Sequence, residues 1–141
     1  MAGDVSKEAL GSNGGETPRN LRLIGRISDD DLAKAFEMAL GFLFPSRIEG
    51  FGLPAIEAMS WGCPVIAANA PCLPEVLGEA ALYAGPDDAA GWVEIIDRLR
   101  SDPALQREMS VRGRMRAARF TWRGIAECYL RLMADIDEGT S

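Results

Sequence analysis

Histidine does not occur anywhere in the 141 residues. Its absence removes the imidazole general base, the imidazole metal ligand and the side chain that ordinarily changes charge near neutral pH. Cysteine is scarce. Cys63, Cys72 and Cys128 are an odd count without metal-type spacing, which fits reduced thiols in a cytosol rather than a disulfide framework or a zinc site. Positive charge is in deficit, with 15 Lys and Arg against 21 Asp and Glu and a formal charge of −6. That balance argues against nucleic acid as the main partner, because phosphate backbones are bound by neutralising cations. No apolar run reaches the roughly 20 residues that span a bilayer. The opening MAGDVSKEAL lacks the basic and apolar regions of a signal peptide, so a cytoplasmic protein is expected.

What is present describes a globular chain: 48% hydrophobic and 26% charged residues over a length suited to one domain. Residues 1–20 are polar and rich in Gly, Ser and Asn, and are expected to form a flexible segment. Residues 21–137 should fold, and 138–141 form a tail. Leu21–Ile24 is a short strand candidate. Ser28 offers an N-cap to an amphipathic helix over 29–39, with Asp29, Asp30 and Asp31 in its first turn. Phe42–Phe44, Val65–Ala67 and Ala81–Tyr83 are brief and apolar, the pattern of strands buried on both faces of a parallel sheet. A helix from Pro54 to Trp61 and a helical turn over Pro74–Leu77 separate them. Three helices close the chain: one capped by Asp87 with a stripe of Trp92, Ile95, Ile96 and Leu99, one opened by Pro103 and running to about Arg119, and one capped by Thr121. Strand–helix alternation of this kind predicts an α/β fold, a Rossmann-like layering of a small parallel sheet flanked by helices.

Chemistry concentrates in one segment, PSRIEGFGLPAIEAM, which begins at Pro45 and joins a strand end to a helix start. In an open α/β sheet that is the edge where ligands bind. Gly50 and Gly52 let backbone approach a ligand closely, and the helix start presents unpaired N–H groups and a positive dipole end suited to phosphate. Glu49 precedes the turn and Glu57 follows about one helical turn inside, with seven residues between them. Carboxylates take hydroxyl donors and backbone amides take phosphates, so the pattern suits a sugar diphosphate.

Within PSRIEGFGLPAIEAMSWGCPVIAAN, this Glu-x7-Glu spacing resembles the signature of retaining glycosyltransferases of the GT-B architecture, the group-1 or sucrose-synthase-like family. The likeness continues through Leu73–Val76, Gly78–Ala81, Pro86–Asp88 and Ala117–Trp122, and spans roughly residues 21–133. It implies that Glu49 contacts the donor sugar and stabilises positive charge at its anomeric carbon. Backbone at Gly50, Phe51, Gly52 and Leu53 would receive the diphosphate and sugar, and Glu57 the ribose hydroxyls of a nucleotide-diphosphate sugar. No metal or other cofactor is expected. Two cationic residues that grip the diphosphate in the family, and the whole N-terminal acceptor domain, have no counterpart here. The chain is therefore expected to supply the donor-binding half of the enzyme and to be inactive alone; a stand-alone nucleotide-sugar-binding module is the alternative.

Plainer roles stand beside these. Glu57 and Glu75 each also suit a helix first turn, and Phe51 also suits the core. Arg107, Arg112, Arg114, Arg116, Arg119 and Arg123 read first as a solvated helix face and second as a peripheral contact with anionic lipid at the inner face of a membrane. The last helix carries Ile125, Tyr129, Leu132, Met133 and Ile136 on one side. It is expected to repack on this domain or to self-associate.

Overall fold

The computed structural model describes residues 20–139. The expected flexible segment lies outside them apart from Asn20. A three-stranded, all-parallel sheet is built from β1 (Phe42–Phe44), β2 (Val65–Ala68) and β3 (Ala81–Ala84) in the spatial order β1-β2-β3. Phe42 pairs with Val65 and Val65 with Ala81, so the three strands run in step and end together. Helices α1 (Asp29–Met38), α2 (Leu53–Ser60), α3 (Leu73–Leu77), α4 (Ala89–Ser101), α5 (Pro103–Ala117) and α6 (Trp122–Gly139) surround the sheet. This is the α/β architecture that the strand–helix alternation predicts.

The central strand explains the short apolar runs. All four residues of β2 are buried, because helices cover both of its faces. On one face Val65 and Ala67 pack with Met59 of α2 and with Leu73 and Leu77 of α3. On the other, Ile66 packs with Leu99 of α4 and with Leu105 and Met109 of α5. Helix α5 also crosses α2 closely at Gly113, where a β-carbon would sit 3.3 Å from the Met59 side chain. Helix starts follow capping chemistry: Ser28 accepts from the Asp31 amide at 3.2 Å, Thr121 from Gly124 at 3.1 Å, and Asp102 from Ala104 and Leu105 at 2.9 and 3.0 Å.

Four expectations need correction. Leu21–Ile24 forms no strand: its backbone finds no ladder among the described residues, and Leu21 and Ile24 are exposed. Apolar side chains alone do not make a strand without a hydrogen-bonded neighbour. The cap of α4 is Asp88, not Asp87; its carboxylate accepts from the Gly91 amide at 3.0 Å, while Asp87 turns to Arg47. Nor is the basic stretch simply solvated. Arg114 donates to the Trp61 carbonyl at 3.0 Å, and Arg116 to those of Val76 and Glu75 at 2.7 Å each, so both bind carbonyls at or near helix ends. Arg107, Arg119 and Arg123 keep the exposed character expected of them. Finally, of the two outcomes expected for α6, repacking on this domain is not what the structure has: Ile125, Tyr129, Leu132 and Met133 are all exposed. No helix among the described residues is long and apolar enough to cross a membrane.

Candidate functional site

Because the strands are parallel and end in step, the loops that follow them, 45–52, 69–72 and 85–88, gather at one edge of the sheet. Two long-range contacts stitch them together. Arg47 in the first loop forms a paired ion contact with Asp87 in the third, with Nη1 to Oδ2 at 3.0 Å. Both side chains are well exposed, so the pair contributes about 0–1 kcal/mol and acts mainly by fixing geometry. Cys72 in the second loop directs its thiol to the Glu49 carbonyl at 3.1 Å. Trp92 secures the third loop by donating Nε1–H to the Gly85 carbonyl at 2.9 Å.

The first loop turns into α2 at Gly52, whose φ of 85° and ψ of 39° are left-handed. A β-carbon at Gly52 would lie 2.8 Å from the Leu73 side chain, so glycine is required both torsionally and sterically. The turn leaves the amides of Gly50, Phe51, Gly52 and Leu53 donating to nothing within the described residues. Pro54 has no N–H to offer, and the helix's own bonding starts with the Ala55 amide, which donates to the Gly52 carbonyl at 3.0 Å. Four amide donors thus cluster at the positive end of an eight-residue helix.

The two carboxylates precede and follow these amides in the chain. Glu49 is half-buried on the loop; Glu57 is exposed on α2. Neither carboxylate forms an ion pair or hydrogen bond among the described residues, so both are available to donors from outside. Glu49, Gly50, Phe51 and Gly52 thus lie on the first loop, Leu53 opens α2 and Glu57 follows within it. Phe51 points its ring inward to pack against the core and presents only its backbone. Glu75, which suits a helix first turn, stays exposed in α3. Sequence reasoning missed Cys72, Arg47 and Asp87. For the latter pair an opposite-charge match was visible, but no local signal joins residues 40 positions apart. Among the described residues no group of three or more His, Cys, Asp and Glu could hold a metal ion.

Comparison with known proteins gives the chain its class. The family model "Glycosyl transferases group 1" matches residues 13–116. The chain belongs to the group 1 glycosyltransferases. It is 39% identical over 102 residues to the O-antigen chain mannosyltransferase B of Escherichia coli, covering 72% of this chain and 27% of that protein. It is 38% identical over 104 residues to the MMP alpha-(1->4)-mannosyltransferase of Mycolicibacterium hassiacum, covering 71% of this chain and 25% of the relative. In three dimensions it matches sucrose-phosphate synthase from Thermosynechococcus elongatus, with a TM-score of 0.78 and 32% identity over 94% of this chain and 34% of that one. The fold is accordingly part of a GT-B architecture. The chain spans about a quarter of the length of these two curated relatives.

Proposed function

We propose that the chain is the donor-binding half of a glycosyltransferase that moves a sugar from a nucleotide diphosphate to an acceptor with retention of anomeric configuration. One observation carries the reading: four unpartnered amides at a helix start, flanked by two unpaired carboxylates. The amides of Gly50, Phe51, Gly52 and Leu53 take the diphosphate and part of the sugar. Glu49 receives donor-sugar hydroxyls and stabilises the positive charge that develops at the anomeric carbon. Glu57 receives the ribose hydroxyls. With the helix end and basic groups from the remainder of the enzyme facing the phosphates, the reading requires no metal. Mannosyl donors are the first to test, since several relatives are named mannosyltransferases.

The acceptor would be held by a further domain, as the partial coverage of the relatives suggests. The apolar side of α6 would pack against that domain or against a second copy; a sedimentation coefficient that rises with concentration would mark the second arrangement. With an acceptor domain supplied, Glu49→Gln should lower kcat/KM by about 100-fold, because the lost charge acts chiefly in the transition state. Turnover near the parent's would exclude Glu49 from that role. Donor binding without any turnover in the complete protein would favour a binding module instead.

A further inference from the structure

Phe120 takes no part in the site described above; it lies in the turn between α5 and α6. Its ring nevertheless meets that of Phe51 in the donor loop at right angles, with centroids 5.4 Å apart and planes at 89°. The Arg116 guanidinium lies over the same Phe120 ring, 5.2 Å from its centroid. That guanidinium is itself anchored, since Nε donates to the Val76 carbonyl and Nη2 to the Glu75 carbonyl, each at 2.7 Å. A continuous chain of contacts thus runs from α3 through Arg116 and Phe120 to Phe51.

Phe51 sits between Gly50 and Gly52. Glycines on both sides leave the backbone torsionally soft, and neither supplies a side chain to hold it. The Phe51 and Gly52 amides lie in peptide groups that make no internal hydrogen bond, whereas the Gly50 and Leu53 amides share planes with carbonyls that accept, Glu49 from the Cys72 thiol and Gly52 from Ala55 and Ile56. The Phe51 ring is therefore its main side-chain anchor, aided by the thiol of Cys72 on the Glu49 carbonyl. Perpendicular aromatic pairs and a cation over a ring face are both favoured by the ring quadrupole, so Phe120 holds a defined pose between its neighbours. Arg116 cannot leave without uncapping two carbonyls of α3.

We propose that Arg116 and Phe120 are positioning residues of the donor loop: through Phe51 they set the direction of the Phe51 and Gly52 amides without touching the donor. The consequence for donor binding rests on the function proposed above; the ordering of the loop does not. The test uses 15N relaxation of the whole 141-residue chain, first alone and then with UDP and GDP. Phe120→Leu should lower the order parameters of Phe51 and Gly52, Phe120→Tyr should restore them, and Ile96→Ala, which loosens the opposite sheet face, should leave them unchanged. Nucleotide affinity should fall about tenfold in Phe120→Leu and recover in Phe120→Tyr. If Phe120→Leu does not fold, Arg116→Met is read in the same way. Unchanged order parameters in the folded variant, or an equal loss in Ile96→Ala, would overturn the proposal. Should the parent chain bind neither nucleotide while Phe120→Leu still loosens the loop, positioning stands and the donor reading fails.

Discussion

Cys63 and Tyr83 are the two side chains whose protonation the fold perturbs most clearly. Burial pushes the Cys63 thiol from its ordinary 9.0 to about 11, against a smaller opposing effect of the backbone at Phe42. Burial likewise moves Tyr83 from 10.0 to about 12, outweighing the nearby Arg116 cation, while its hydroxyl donates to the Gly78 carbonyl at 2.7 Å. Both groups resist losing a proton in the folded state more than in the unfolded chain. The stability they contribute is thus complete below pH 9 and falls as pH rises, through 9–11 for Cys63 and 10–12 for Tyr83. Denaturation followed over this range should show that decline, and Cys63→Ala should flatten its lower part. A slope unchanged in Cys63→Ala would mean the thiol is not desolvated as described. At this scale the site was partly legible. EGFGLP declared Glu49 and its glycines, because glycine at a strand–helix junction has a local cause. Cys72 was not legible, since neither its positive φ of 67° nor its thiol contact with the Glu49 carbonyl, 23 positions away, has a local signature.

The loop and helix that carry the amides depend on one backbone choice. Gly52→Ala would place a methyl in a left-handed conformation against Leu73, with a separation of 2.8 Å before relaxation. The strained torsion and the overpacking together should cost about 2–4 kcal/mol, measurable by urea denaturation. The same change should turn the neighbouring amides away from a ligand. Wild-type stability in this variant would contradict the close contact between α2's start and α3. Elements of this kind were the most readable part of the chain. Gly after Ser60-Trp61, Pro at 54 and 103, and four-residue apolar runs have short-range causes, so α2, β2 and α5 fall within a residue or two of their expected bounds. The failures share an opposite origin. Leu21–Ile24 had strand-like residues but no neighbour to pair with, and α4's cap moved from Asp87 to Asp88 because a distant arginine engages the former.

At the scale of the whole molecule, α5 acts as a brace. Its Arg114 and Arg116 reach back to carbonyls at the end of α2 and in α3, and Gly113 lets it lie close against α2. Helices α2 and α3 are therefore supported from outside the sheet by a helix whose basic character reads, in sequence alone, as solvent exposure. Helix α6 leaves Ile125, Tyr129, Leu132 and Met133 exposed along its length. The central claim concerns the first loop and α2, which hold a nucleotide-sugar half-site. Titrating the 15N-labelled chain with UDP, GDP and their sugars tests it most directly. The account predicts amide shifts at Gly50, Phe51, Gly52, Leu53 and Glu57, weakened by Gly52→Ala. Shifts confined to other surfaces such as α6, or none for any nucleotide at millimolar concentration, would contradict it.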